Sequence, residues 1–168
     1  MRTQLTQAEL KRRIHYDPET GVLTRRISFR RSHPVGSIVG AHDKDGYLKA
    51  TVLGVTYQCH RLAWFYVHGK WPIGVIDHID LNKSNNRIKN LRDTSKSGNE
   101  HNRGVRKDNK SGYKGVFWSS RERKWKAAIK ANGKKIHLGT FPQKIDAVAA
   151  YDMAAKRLHG EFARPNLA

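Results

Sequence analysis

The sequence predicts an α+β protein, with two strands and a helix at its middle and a C-terminal three-stranded antiparallel sheet packed on one helix. Three observations carry this prediction. Residues 124–131 and 134–141 alternate apolar and polar side chains around Asn132-Gly133, the dipeptide favoured in tight hairpin turns. A 3.6-residue apolar periodicity follows them. Upstream, an apolar strand at Val75-Ile76 and a second strand at about Asn90 to Asp93 bracket a polar, Asn-rich loop, and Thr94 or Ser95 then offers a helix cap. Composition shifts after residues 76 and 112, and the expected organisation is a leader with strands (1–59), a middle domain (60–103), a basic linker (104–112) and a C-terminal domain (113–166).

The elements follow in order. Thr6-Gln-Ala-Glu9 is a capping-box pattern, and Leu10 and Ile14 continue it at helical spacing. Asp17-Pro-Glu-Thr-Gly21 signals a turn. Gly46 to Val52 and Val55 to His60 read as a hairpin around Leu53-Gly54. Arg61 to His68 reads as a short helix burying Leu62, Phe65 and Tyr66 and stopped by Gly69 and Pro72. Tyr113 to Trp118, Lys124 to Ala131 and Lys134 to Phe141 are the three C-terminal strands. Trp125, Ala127, Ile129, Ile136 and Leu138 face inward; Lys126, Ala128, Lys130, Lys135 and His137 face outward. The last helix, from Pro142 to about His159, presents Ala147, Ala150, Tyr151, Ala154 and Leu158 on its buried face.

The charge narrows the function classes. Across 168 residues, 33 Lys and Arg oppose 14 Asp and Glu, a net charge of +19. Each third carries part of it: +7 over 1–76, +4 over 77–112 and +8 over 113–168. Such a chain is expected to bind a polyanion along its length, nucleic acid first. A single cysteine, Cys59, excludes an internal disulfide and a Cys-rich zinc site. The start, MRTQLTQAELKRR, has no apolar stretch, and the longest fully apolar run is Leu62 to Val67, so no signal peptide and no membrane span is expected. A soluble cytoplasmic protein, not a secreted one, is the expectation.

The chemistry concentrates in VIDHIDLNKSNNRIKNLRDTSKSGNEHNR, Val75 to Arg103. Asp77 is a hard oxygen ligand and Asn99 offers a carbonyl oxygen, a pair suited to a magnesium ion beside a phosphate. A neutral His78 could take a proton from an attacking water. Neighbouring strand residues point to opposite faces, so Asp77 and His78 share one site only if the strand ends or distorts there.

The pattern DH-I-D-x-N-K-x-x-N-R-I-x-N-L-R over Asp77 to Arg92 resembles HNH endonucleases of the zinc-free phage type that includes intron homing endonucleases. His60-Arg61-Leu62-Ala63-Trp64 resembles the stretch preceding that motif. The resemblance implies a ββα-metal nuclease core of two strands and a helix on one divalent ion, magnesium by preference. It assigns His78 as general base, Asp77 and Asn99 as metal ligands, and Asn90 as the residue fixing the loop that orients His78. His101 competes with Asn99 for the last position. Leu81 stands where the family commonly has glycine, and it carries strain if that turn needs a positive φ.

Tyr113-Lys-Gly-Val116, Trp125-x-Ala-x-Ile129, His137-Leu-Gly-Thr-Phe141 and Ala149-Ala-Tyr-Asp-x-Ala-Ala155 resemble the APETALA-type, or ethylene-response-factor, DNA-binding domain. That match implies that Lys114, Phe117, Ser119, Lys130, Lys135 and His137 face duplex DNA, and Lys126 lies on the same outward face. The family's arginine-rich first strand is replaced here by Phe117, Trp118 and Ser119. Together the two resemblances imply a phage homing or mobile endonuclease that hydrolyses DNA. The rival reading is a DNA-binding transcription regulator whose HNH segment is only a scaffold; a second is an RNA-binding basic protein. One metal site per chain favours a monomer that nicks.

Overall fold

The computed structural model describes residues 4–28, 31–95, 99, 102, 104–106 and 108–167. It is a mixed helix and sheet protein in two compact units, residues 1–96 and 97–168. Among the described residues no helix is long and apolar enough to cross a membrane.

The first unit opens with α1 (Gln7–Arg13), capped by Thr6, whose Oγ1 accepts from the Glu9 N–H at 3.2 Å. The Glu9 carboxylate turns to Arg12 and Arg13 rather than back to the cap. Ile14, expected on the helix, instead starts β1 (Ile14–Tyr16). It is buried there, paired opposite Arg25 of β2 (Leu23–Arg25). Burial of a β-branched side chain on a strand outweighed one more turn of helix. β3 (Ala41–His42), β4 (Leu48–Val52) and β5 (Val55–Gln58) form an antiparallel sheet. Leu53 (φ 51) and Gly54 (φ 74) make its second turn.

Helix α2 (Cys59–His68) begins earlier than the apolar pattern suggested, so His60 lies within it. Gly69, left-handed at φ 70, ends it, with its N–H on the Phe65 carbonyl at 3.0 Å. Leu62 and Ala63 are fully buried, and burying a leucine side chain contributes roughly 1.5–3 kcal/mol. Trp71 stacks on Phe65, with centroids 4.3 Å apart, and on Tyr57 at 5.4 Å. One hydrophobic core runs from Leu5 to Leu91 and includes residues on both sides of position 59. A two-stranded antiparallel sheet, β6 (Val75–His78) with β7 (Leu91–Thr94), completes the unit.

In the second unit β8 (Val116–Ser119), β9 (Lys124–Ala131) and β10 (Lys134–Phe141) pair antiparallel in the order β10-β9-β8. Helix α3 (Lys144–His159) packs on them. Asn132 (φ 50) and Gly133 (φ 76) form the β9–β10 turn. A register shift between His137 and Gly139 marks a bulge at Leu138. Ile136, expected inward, pairs with Ile129 beyond that bulge and is 39% exposed. Leu158, expected in the helix face, is 38% exposed, while Val148 and Ala155 are buried in its place. The helix face is therefore rotated towards Ala147, Val148, Tyr151 and Ala155.

Candidate active site

The candidate site is built at the end of the β6–β7 ribbon. Asp77 faces Arg92 across the ribbon, and His78 faces Leu91. Both Asp77 and His78 are buried, and they take different partners, as strand alternation requires. Arg92 donates to Asp77 Oδ2 from Nε at 2.9 Å and from Nη2 at 2.7 Å. This is a charge-assisted pair with the carboxylate 3% and the guanidinium 16% exposed.

His78 lies 3.2 Å from Asn86 Oδ1 through its Nε2. The His60 ring meets it edge-on, with centroids 5.1 Å apart, and Tyr47 flanks both rings at 5.4 and 6.0 Å. Burial pushes His78 below its ordinary value, against the opposing pull of the Asn86 contact, Asp80 and Asp77. Burial likewise lowers His60 to about 3, with His78 adding to the effect. Both imidazoles are therefore neutral near pH 7, the form a proton acceptor requires.

The loop after β6 is cross-linked through side-chain amides. Asn90 Oδ1 accepts from the Asp80 N–H at 3.1 Å. Its Nδ2 donates to Asp80 Oδ1 at 2.9 Å and to the Asn85 carbonyl at 2.8 Å. Asn85 Nδ2 donates to Asp80 Oδ2 at 2.7 Å. Burial alone would raise the Asp80 carboxyl, but the hydrogen bonds from Asn85, the Asn82 N–H and Asn90 outweigh it and hold it below its ordinary value. Leu81 sits at φ 66, in the left-handed region, at a cost of roughly 1–2 kcal/mol. The loop also reaches the β3–β4 turn, where Lys83 Nζ donates to the Asp45 carbonyl at 2.8 Å and lies 4.7 Å from the Tyr47 ring centre.

Asn99 is helical and half-buried and falls in the second unit. His101 lies outside the described residues. Among the described residues no three His, Cys, Asp or Glu side chains cluster as a ready-made metal site. The donors expected from the sequence, the Asp77 carboxylate and the Asn99 amide oxygen, are hard ligands that suit a magnesium-like ion with waters completing its shell. The lone thiol, Cys59, is buried and its pKa is pushed up to about 12, so soft-metal chemistry has no donor there.

The sequence motif contains Asn86 without giving it a role, and it offers none for Tyr47 or for His60 beside His78. The signal for the last two is long-range: Tyr47 and His60 reach His78 from 31 and 18 positions away. In the second unit, register puts Phe117, Ser119, Lys126, Lys130, Lys135 and His137 on one face of the sheet. Lys135 Nζ lies 5.1 Å from the centre of the Phe117 ring. Lys114 precedes β8 and is half-buried; burial, then Arg164, lowers it to about 8.

Residues 57–101 match the family model of HNH endonucleases. The chain is 36% identical over 106 residues to Protein 3.8 of Escherichia phage T7, covering 62% of this chain and 87% of that protein. It is 37% identical over 125 residues to the uncharacterized HNH endonuclease L560 of Acanthamoeba polyphaga mimivirus, covering 73% of this chain and 64% of that protein. A solved structure described as DNA binding and cleavage by the HNH homing endonuclease I-HmuI is similar over 88% of this chain and 85% of that chain, at 21% identity and a TM-score of 0.41. With the family model spanning the Asp77–Asn90 loop, and the phage relative extending the likeness over most of its own length, the chain carries an HNH endonuclease domain and belongs to one family with Protein 3.8.

Proposed function

We propose that this HNH protein is a metal-dependent endonuclease that binds duplex DNA and hydrolyses a phosphodiester bond, with His78 as general base. One observation carries the reading most: within the family-matched segment, His78 is a buried imidazole whose Nε2 lies 3.2 Å from Asn86 Oδ1 at the end of β6. Neutral His78 accepts the proton of a water attacking phosphorus, a step worth roughly 10²–10⁴ in rate. Asn90 positions by tying the 80–85 loop to β7. Asp77 and Asn99 are the oxygen donors for the ion, in a core of the ββα-metal kind. When bound, the ion supplies positive charge beside the phosphate.

The second unit serves as the DNA reader, an APETALA-type domain presenting the face of Phe117, Ser119, Lys126, Lys130, Lys135 and His137 to the duplex, with Lys114 beside it. Lys130 sits directly opposite Lys135. Like charges so placed repel, and a polyanion relieves that repulsion. The sequence context fits a phage homing or mobile enzyme working as a monomer.

The test is nicking of supercoiled plasmid with and without magnesium. His78→Ala should slow nicking at least ~10²-fold while duplex affinity holds. Asp77→Ala and Asn99→Ala should shift the magnesium midpoint upward. Binding without nicking under any divalent ion would instead favour a regulator with a non-catalytic HNH scaffold.

A further inference from the structure

We infer that the N-terminal hairpin β1–β2 is a clamp for the catalytic loop: through Tyr16 and Gly21 it holds Asn86, and Asn86 is the positioning residue that sets the ring of His78. The inference rests on the reading of His78 as general base.

Asn86 is 1% exposed, and its Oδ1 lies 3.2 Å from His78 Nε2. An oxygen acceptor at Nε2 requires the proton to sit there. That places the imidazole lone pair on Nδ1, so one carboxamide sets both ring orientation and tautomer. The other end of the same carboxamide, Nδ2, is buried and has no hydrogen-bond partner among the described residues. A side chain selected only for packing would not leave a buried donor orphaned, because that is a net cost. The orphan is what results when the amide is held for its oxygen.

Asn86 is gripped by residues about 70 positions earlier. The buried Tyr16 hydroxyl donates to the Asn86 carbonyl at 2.7 Å. The Ile88 N–H donates to the Pro18 carbonyl at 3.2 Å. Gly21, at φ 76, lies backbone against backbone: a Cβ there would stand 2.5 Å from the Arg87 nitrogen and 2.6 Å from the Asn86 carbonyl carbon. Only glycine allows that approach. Tyr16 is itself fixed edge-on against Tyr66 of α2, centroids 5.6 Å apart. The contacts run from α2 through Tyr16 to Asn86 and His78, all within one unit.

The experiment uses the full chain, measuring nicking rate at saturating enzyme, duplex affinity without divalent ion, and melting temperature. Asn86→Leu keeps the volume and removes the acceptor; it should slow nicking by about tenfold or more with affinity unchanged. Asn86→Asp restores an oxygen and should recover most of the rate. Tyr16→Phe keeps the ring and deletes only the hydroxyl; it should slow nicking about fivefold. In a His78→Ala background, Asn86→Leu should add less than about twofold, because both act through one imidazole. A folded Asn86→Leu or Tyr16→Phe protein that nicks at the wild-type rate overturns the inference, as does a full effect of Asn86→Leu without His78. If Asn86→Leu does not fold, Tyr16→Phe decides alone. Wild-type nicking by His78→Ala would overturn the general-base reading itself. A dead His78→Ala beside unaffected Tyr16→Phe and Asn86→Leu overturns only the clamp.

Discussion

Replacing Arg92 with Ala should destabilise the first unit by about 3–5 kcal/mol, the cost of breaking a buried ion pair by removing one of its members. The magnitude follows from the geometry. Arg92 places two N–H groups on Asp77 Oδ2, at 2.9 and 2.7 Å, and the carboxylate it faces is 3% exposed. With the guanidinium gone, the buried carboxylate loses both of those charge-assisted donors. Arg92→Lys retains the charge but not the fork, and should lose about 1–2 kcal/mol. The decisive variant is the double one. Adding Asp77→Asn to Arg92→Ala removes the buried charge and should recover at least about 1.5 kcal/mol. Hydrogen exchange of peptides covering β6 and β7 reads this out within one unit, and a loss near 3 kcal/mol appears as exchange faster by on the order of a hundredfold. A change below about 1 kcal/mol for Arg92→Ala, or a double variant less stable than it, would refute the reasoning.

Three further outcomes are expected. His60 has its folded pKa lowered to about 3 against an unfolded 6.5, so the unfolded chain binds the extra proton. Its contribution is present above about pH 6.5 and is lost as pH falls towards about 3, by up to ~1.4 kcal/mol per pH unit, and urea titrations at about pH 5 and 6.5 should show His60→Phe flattening that slope. Leu53→Asn puts a residue that tolerates φ 51 before Gly54, and should raise the melting temperature by about 2–5 °C in a thermal scan. Lys130→Ala with Lys135→Ala removes two phosphate-facing charges of the proposed reader, and the slope of log affinity against log salt should fall by about 1.8, measured by anisotropy on a short duplex. An unchanged slope would return that face to a solvated surface.

What the chain declares locally, it declares well. Thr6 and Glu9 mark the start of α1, Gly69 the end of α2, and Asn132-Gly133 the turn of the last hairpin. Each is set by backbone dihedrals and hydrogen bonds within a few residues, and sequence spacing records those directly. The cluster from Asp77 to Asn90 was legible for the same reason: Asp80, Asn85 and Asn90 bond one another inside a short loop. The errors sit where packing decides. Ile14 left its helix because a strand partner buried it; Ile136, though paired with the buried Ile129, lies on the edge strand β10 and is exposed. The partners of the two central residues were beyond any local pattern. Arg92 reaches Asp77 through a ribbon register, His60 reaches His78 through a helix packed on the core, and Tyr16 reaches Asn86 across 70 positions. Sequence alone named the groups that could do the chemistry, because residue type fixes acid–base and ligand character. Only the tertiary structure decided which neighbours keep them neutral, paired or aimed, because those neighbours are chosen by burial between segments that sequence distance does not relate.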